Sequence, residues 1–236
     1  GTLAAGVAHE VNNPLAFVIT NLEYASAELR GIQALAPVRE ALQEAGEGAQ
    51  RVRTIVRDMR RFTRMEEEVR APVDLRRVVG LAIRMTAHEL RGRVTLIDET
   101  GDDVPVCGSE ARLGQVVINL LINATQAMPE GRAAEANHIH IRASRCGAEM
   151  MVVVEDNGRG MEGSVLRRVF DPFFTTKAQG VGTGLGLYIC HNLVTSFGGR
   201  IDISSTVGDG TTVRLRLPIW QDDSLPATLA LPPAGQ

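Results

Sequence analysis

The chain has 236 residues, of which 44% are hydrophobic and 22% charged, and its 25 basic and 28 acidic residues leave a net charge of −3. This length is enough for one large or two modest domains with hydrophobic cores. The mild negative charge argues against a nucleic-acid-binding protein, because such proteins usually carry a basic excess. No run approaches the roughly 18 apolar residues of a membrane helix. Three widely spaced cysteines exclude disulfide and zinc scaffolds and fit a reducing cytoplasm.

The first 70 residues predict two long helices that form an antiparallel hairpin. Apolar residues recur at alternating steps of three and four over 4–32 and again over 38–59, the spacing of a heptad seam. Each helix carries only a narrow apolar stripe, so we expect the hairpin to pair with a second copy in a four-helix bundle. The alternative is a hairpin packed on the rest of its own chain. Because the helical pattern is already under way at Gly1, we expect the chain to be part of a longer protein.

From Asp74 onward the pattern changes to mixed helices and strands. Asp74 and Ser109 are suited to cap the first two helices of this part. We predict helices over 74–88, 109–128 and 184–197, and strands over 94–98, 138–144, 150–156, 200–205 and 211–217. The residues after Pro218 are rich in proline and glycine and predict a linker. The predicted organisation is therefore α followed by α/β, with domains at 1–70 and 71–218 and a tail at 219–236.

The first cluster with chemical potential is His-Glu-Val-Asn-Asn-Pro at 9–14. The heptad places His9, Glu10 and Asn13 at its three outward positions, so that an imidazole, a carboxylate and a carboxamide share the solvent face of one helix. Pro14 should bend that helix, and a proline in a helix interior costs about 3 kcal/mol. The alternative is an ordinary exposed histidine beside a tolerated kink.

Two further segments combine polar side chains with apolar elements. Asn119 and Asn123 lie four residues apart on an apolar helix, where they either find structural partners or ligate a hard cation such as Mg²⁺. Asp156 ends an apolar strand and precedes Gly158 and Gly160. Its carboxylate could accept a hydrogen bond from an exocyclic amine such as that of adenine, and the alternative is a plain exit from the strand.

A glycine-rich stretch at 180–186 precedes a predicted helix. Amides at a helix N-terminus attract phosphate, although the spacing matches neither the P-loop nor the dinucleotide-binding fingerprint. Lys177, the one lysine among the 25 basic residues, lies at the start of this stretch. Chance placement of that lysine is the alternative.

Taken in order, the segments at 9–14, 115–127, 155–161, 170–177 and 180–187 resemble the histidine, asparagine, first glycine, phenylalanine and second glycine boxes of the sensor histidine kinases of two-component systems. The segment Gly-Asp-Gly-Thr-Thr at 208–212 is similar to the closing element of that family. The resemblance spans about residues 1 to 218. It implies a dimeric four-helix bundle for phosphotransfer, followed by an α/β-sandwich ATP-binding domain of the Bergerat fold, which gyrase, Hsp90 and MutL share.

The resemblance also implies a role for each matching residue. His9 would take the γ-phosphoryl group of ATP, Glu10 would act as general base or orienter, and Asn13 would orient the water that dephosphorylates a regulator. Asn123 would hold Mg²⁺, and Asp156 would bind the adenine amine. The remaining implied ATP contacts are Asn119, Gly158, Gly160, Lys177, Gly182, Thr183, Gly184, Leu185, Gly186 and Thr211.

Many relatives carry a basic residue three positions after the metal-binding asparagine, where this chain has Gln126. That departure makes Lys177 the expected cation at the phosphates. The glycines would line the phosphates beneath a lid of roughly residues 162–181.

The implied protein is a cytoplasmic homodimeric kinase that passes its phosphoryl group to an aspartate of a response-regulator receiver domain. It would contact neither nucleic acid nor, through this fragment, a membrane, and membrane anchoring of a longer parent stays open. One alternative is a Bergerat-fold ATPase clamp, which would need a water-activating carboxylate near Asn119 and Asn123. The other is a dimeric scaffold with a dead pocket, against which the complete set of Asn123, Asp156 and glycines argues.

Overall fold

The computed structural model describes residues 2–30, 35–63, 70–101, 105–177 and 183–221. Its first part consists of two long helices that pack against each other, α1 (Thr2–Glu28) and α2 (Ala36–Thr63). Helix α1 continues through Pro14 without interruption. None of the helices in the described ranges combines the length and apolar character that a membrane span requires. The predicted hairpin of long helices is confirmed.

The buried residues of the contact between the two helices follow the predicted seam only in part. Ile19 of α1 and Ala49 of α2 are buried, whereas Val18, which the heptad places inward, is 47% exposed. Other large apolar side chains of the hairpin are also exposed, namely Phe17, Tyr24, Val38 and Val52. Within one hairpin the two helices cover only part of each other, so Val18, Val38 and Val52 stay exposed. Their burial against a second copy of the hairpin stays a prediction.

The second part of the described chain is a mixed α/β domain. Its helices are α3 (Leu75–Leu90), α4 (Glu110–Gln126), the short α5 (Gly163–Leu166) and α6 (Gly186–Ser196). Its strands are β1 (Ala71–Val73), β2 (Thr95–Thr100), β3 (Val106–Gly108), β4 (His138–Cys146), β5 (Glu149–Asp156), β6 (Arg200–Thr206) and β7 (Gly210–Pro218), with a 3₁₀ turn at Ala134–Ala136. The long elements follow the predicted order.

Five of the strands form one sheet in the order β2-β4-β5-β7-β6. Strands β2 and β4 are parallel, and the other neighbours are antiparallel. The register pairs Asp156 at the end of β5 with Thr211 of β7. Strands β1 and β3 form a separate antiparallel pair. The sheet thus brings the predicted aspartate and threonine to the same end of the domain.

The core lies between the sheet and helices α3, α4 and α6. Alternate residues of β5, Met150, Val152 and Val154, point into it, as the two-residue period of a strand requires. On α4, Leu120 and Leu121 are buried against them. Each such side chain contributes about 1.5–3 kcal/mol when it leaves water. Helix α4 therefore presents its buried face to the sheet, and its last turns reach the end of the sheet where Asp156 lies.

Helix caps agree with the sequence at one position and differ at another. Asp74 caps α3 and accepts a hydrogen bond from the backbone N–H of Arg77 at 3.1 Å, as predicted. Ser109 occupies the cap position of α4, but its side chain makes no capping bond. The elements absent from the prediction are β1, β3, α5 and the 3₁₀ turn, because three or four residues are too few for periodicity to reveal.

Candidate functional site

A pocket of about 800 Å³ opens between the C-terminal half of α4, the start of α6 and the strands β5, β6 and β7. This volume suits a small-molecule ligand. The predicted site residues that line it are Asn123, Asp156, Gly160, Lys177, Thr183, Gly184, Gly186 and Thr211. The tertiary structure therefore brings together residues that lie between 123 and 211 in the sequence.

Asp156 supplies a buried acceptor in this pocket. The residue is 7% exposed, and its Oδ1 accepts a hydrogen bond from the backbone N–H of Gly158 at 2.9 Å. Burial raises the pKa of Asp156 to about 6, against the lowering effect of backbone hydrogen bonds from Gly158 and Thr211. The neighbouring pocket walls are apolar, with Val154 and Val213 among them. An acceptor between apolar walls suits a flat heterocycle that carries an amine.

The loop after β5 depends on two glycines for its close packing. A Cβ on Gly158 would lie 2.7 Å from the carbonyl oxygen of Ala127 at the end of α4. Gly160 has φ +67°, and its Cβ would lie 1.9 Å from the carbonyl oxygen of Thr206. Gly160 lines the pocket, whereas Gly158 lies outside the lining and donates its backbone N–H to the carboxylate of Asp156.

A second group of polar contacts surrounds the only lysine of the chain. The Nζ of Lys177 donates to Oδ1 of Asn123 at 2.9 Å and also to Oε1 of Gln126. Lys177 is half-buried, and this burial, with the nearby charge of Arg159, lowers its pKa. One ammonium group is thus held by two carboxamide oxygens on adjacent positions of the α4 surface.

Helix α6 begins beside this lysine site. A Cβ on Gly186, its first residue, would lie 3.8 Å from Nδ2 of Asn123, and its first turn has no acidic side chain. Gly184 has φ +69°, and a Cβ there would lie 2.3 Å from the carbonyl carbon of Phe173. Phe173 itself has φ +65°, a strained value for a non-glycine residue. The N-terminus of α6, where backbone amides point out of the helix next to a cation, suits an anionic ligand.

Three predicted ligand contacts do not line the pocket. Asn119 donates from Nδ2 to the carbonyl oxygen of Gly186 at 3.4 Å and contacts Sγ of Cys190 at 3.9 Å, so it joins α4 to α6. Leu185 is buried in the core, and Gly158 lies behind Asp156. These three residues support the elements around the pocket, and their contacts with ATP stay a prediction. Gly182 lies outside the described residues.

The structure also adds residues that the sequence did not single out. Ser205 accepts from the backbone N–H of Met161 at 2.9 Å and donates to the carbonyl oxygen of Gly210 at 2.7 Å, so it ties the loop after β5 to the β6–β7 turn. Nothing in the sequence signals this contact, because its partners are 44 positions apart. The sequence did single out Gln126, but it did not predict the hydrogen bond that Gln126 accepts from Lys177.

The donor set of the pocket fits a magnesium ion that arrives with phosphate. Within the described ranges, no group of three or more His, Cys, Asp or Glu side chains could hold a metal. Magnesium commonly binds one or two protein oxygens and takes its other ligands from substrate phosphates and water. Asn123 Oδ1 lies in the pocket and already accepts a hydrogen bond from a cation, so it is suited to this role.

The residues of the predicted phosphoacceptor segment lie on α1. His9, Glu10 and Asn13 are part of its helical backbone, and 9 and 13 are one turn apart. Their side chains lie outside the described residues.

Two family models match the chain. The model described as histidine kinase-, DNA gyrase B-, and HSP90-like ATPase matches residues 108–221, and the His Kinase A (phospho-acceptor) domain model matches residues 1–68. Among curated proteins, the sensor histidine kinase ZraS of Escherichia coli is 32% identical over 93% of this chain and 45% of its own length. The sensor kinase CckA of Brucella abortus is 34% identical over 92% of this chain and 24% of its own length. The chain thus spans less than half the length of these relatives.

Solved structures agree with the fold. The catalytic domain of histidine kinase ThkA has a TM-score of 0.56 and 27% identity, covering 64% of this chain and 97% of its own. Full-length ShkA in complex with AMPPNP has a TM-score of 0.66 and covers 92% of this chain and 46% of its own, at 23% identity. At 23% identity, the similarity to ShkA supports the shared fold and nothing further.

Proposed function

This chain belongs to the sensor histidine kinases of two-component systems, with an ATP-binding domain of the gyrase and Hsp90 type, and we propose that it phosphorylates its own His9 from Mg-ATP. The phosphoryl group would then pass to an aspartate of a response-regulator receiver domain. The observation that carries the proposal is the pocket itself, in which the buried acceptor Asp156 and the cation-holding pair of Lys177 and Asn123 line one cavity. The helical hairpin and the α/β domain that such an enzyme needs are both present in the chain.

The two ends of the pocket suit the two ends of ATP. Asp156 would accept a hydrogen bond from the adenine amine, with the ring held between apolar walls. Thr183, Gly184 and the α6 N-terminus would receive the phosphates, with Lys177 as their cation. Asn123 would hold Mg²⁺, which when bound neutralises charge on the phosphates. Positioning and charge neutralisation are the main requirements of phosphoryl transfer.

On the hairpin, a ring nitrogen of His9 would attack the γ-phosphorus. The bond between that phosphorus and its bridging oxygen would break, ADP would leave, and the proton of the imidazole would pass to Glu10 as general base. The exposed apolar side chains Phe17, Tyr24 and Val52 support the pairing of two hairpins in a homodimer, because association would remove them from water.

One labelling experiment tests this function against its alternatives. Incubation with γ-labelled ATP should give a label on the protein that acid removes and alkali does not, as expected of a phosphohistidine. Release of phosphate without a labelled protein would instead indicate an ATPase clamp, and neither product would indicate a scaffold with a dead pocket. The clamp is disfavoured because the α4 residues that line the pocket include no carboxylate.

Asn123→Asp should weaken Mg-ATP binding by about tenfold or more, because the carboxylate adds negative charge beside the phosphates. It would also form an ion pair with Lys177, whose Nζ is 2.9 Å from Oδ1 of Asn123. Nucleotide binding over a magnesium titration is the measurement. Asn119→Asp is the matched control, since the same change one turn earlier lies outside the pocket and should alter the melting temperature instead. An unchanged magnesium dependence for Asn123→Asp would contradict the metal role.

We propose that the enzyme also dephosphorylates its regulator, with Asn13 as the group that orients the attacking water. A carboxamide can donate and accept at once, and Asn13 is one helical turn from His9. Asn13→Ala should retain the label on His9 and reduce hydrolysis of the phosphorylated regulator by at least about tenfold. Asn12→Ala is the matched control. Equal loss of both activities in Asn13→Ala would show that Asn13 only supports the helix around Pro14.

A further inference from the structure

Two groups of the proposed mechanism are hydrogen-bonded to each other in the pocket. The proposed function assigns Asn123 to Mg²⁺ and Lys177 to the phosphates. Here Nζ of Lys177 donates to Oδ1 of Asn123 at 2.9 Å and also to Oε1 of Gln126. The ammonium therefore occupies the oxygen that the metal would use.

Resting on that proposed function, we propose that Lys177 stands in for the metal in the nucleotide-free pocket, so that Mg²⁺ reaches Asn123 only together with ATP. The phosphates of ATP would draw the ammonium away from the two carboxamides. Oδ1 of Asn123 would then be free for the metal that the same phosphates carry. Lys177 thereby sets the order of binding as well as contacting the phosphates.

Simple electrostatics disfavours a joint occupation of Asn123. An ammonium and a divalent cation on one carboxamide oxygen would be only a few ångströms apart, where like charges repel strongly in a partly buried site. Mg²⁺ alone would thus have to displace Lys177 and break two hydrogen bonds from a charged donor, which are stronger than neutral ones. It would receive few protein ligands in return, since the described pocket offers no carboxylate cluster.

Gln126 is the positioning residue of this arrangement. Its neutral oxygen accepts the second bond of Lys177, whereas a basic side chain at the same place would repel the ammonium. Arg159 donates from Nη2 to the main-chain oxygen of Gln126 at 2.9 Å and lines the same pocket, so a second positive charge lies near the half-buried ammonium. The ammonium is thus held by two neutral acceptors in a place that is costly for a cation. Phosphate oxygens are charged and accept more strongly, so the ammonium should transfer to them.

The sequence makes this exchange directly observable, because Lys177 is the only lysine in the chain. Protein labelled with ¹⁵N-lysine gives a single side-chain ammonium signal in NMR. We expect the signal to stay unchanged with MgCl₂ alone and to move with ATP in the presence of EDTA and with Mg-ATP. A shift of the signal with MgCl₂ alone, of the size that Mg-ATP produces, would overturn the proposal.

Two variants distinguish direct occupation of the Asn123 oxygen by Lys177 from a general effect of positive charge on Mg²⁺ binding. In Lys177→Met the oxygen of Asn123 is free, so Mg²⁺ without nucleotide should bind about tenfold more tightly than in the wild type, a difference of ~1.4 kcal/mol. Arg159→Met removes a neighbouring positive charge that does not contact Oδ1 of Asn123, and it should respond to Mg²⁺ like the wild type. The readout is the melting temperature during a MgCl₂ titration. Equal gains in both variants, or none in Lys177→Met, would overturn the proposal.

The outcomes also distinguish this inference from the proposed function. If the lysine signal moves with ATP as expected but the protein gains no acid-labile label, transfer to His9 is wrong while the exchange at Asn123 is supported. If the label forms and Mg²⁺ alone displaces Lys177, the kinase function is supported and the exchange is wrong.

Discussion

Replacing His9 by glutamine should lower autophosphorylation by more than about 10³-fold, to the background of the assay. The reason is that glutamine has no ring nitrogen to take the phosphoryl group. Binding of ATP should stay within about twofold of the wild type. His9 lies on α1, whereas the pocket is built from α4, α6 and the sheet. Acid-labile label from γ-labelled ATP and the affinity for a fluorescent nucleotide are the two measurements.

His88→Gln is the matched control for this prediction, because His88 is an exposed histidine in the last turn of α3. His88→Gln should gain as much acid-labile label from γ-labelled ATP as the wild type. Acid-labile label that persists in His9→Gln would show that another residue is the phosphoacceptor. Loss of label in both variants would point to a shared structural effect instead.

Replacing Asp156 by asparagine should weaken ATP binding by about 10²-fold, because an amide can present a donor to the adenine amine where an acceptor is needed. Binding of GTP should fall less, since the guanine ring offers a carbonyl oxygen at that place and the new amide can donate to it. Asp202→Asn is the control, as Asp202 is an exposed carboxylate on β6. A parallel loss for ATP and GTP would contradict the assignment of Asp156 to the base.

The same variant should remove a pH dependence of stability. Burial raises the pKa of Asp156 from 3.8 to about 6, so the native state binds more protons than the unfolded state between these pH values. The free energy of unfolding contributed by this group therefore falls as the pH rises through that window, by about 3 kcal/mol in total. The carboxamide of Asp156→Asn does not titrate. The melting temperature of the variant relative to the wild type should thus be higher at about pH 7.5 than at about pH 4, and a constant difference would contradict the burial of an ionisable Asp156.

The affinity of the wild type for ATP should increase as the pH rises, whereas the stability contribution of Asp156 decreases. Ionised Asp156 is the acceptor, so binding should weaken by up to about tenfold per pH unit below pH ~6, where the carboxyl is protonated. Asp156→Asn should lack this component. Comparing the two proteins cancels the titration of the ATP phosphates, which affects both equally.

Much of this organisation follows from local sequence patterns. Heptad spacing predicts the two long helices, alternation predicts β4 and β7, a continuous apolar run predicts β5, and Asp74 marks the start of α3. Each of these signals depends on neighbours a few residues apart. The order of the five boxes likewise predicts that Asn123, Asp156 and Gly184 serve one ligand, and all three line one pocket.

Contacts between distant residues were decided by the tertiary structure alone. Lys177 meets Asn123 across 54 positions and Gln126 across 51, and no periodicity encodes a pairing of that length. Asn119, of the same type as Asn123 and on the same helix, is turned toward Gly186 and Cys190 instead of the pocket. Four residues on a helix add about 40° of rotation, and packing of α4 between the sheet and α6 determines which carboxamide lines the pocket.

The pKa of Asp156 and the exposure of Val18 have the same origin. Both depend on which surfaces other elements cover: the sheet register and the loop after β5 bury Asp156, and the narrow contact with α2 leaves Val18 outside. The sequence by itself determined which residue types, in which order, belong to a phosphotransfer hairpin and an ATP-binding domain. Only the folded chain decided which of them share a cavity, because burial and proximity arise from the packing of elements that lie far apart in the sequence.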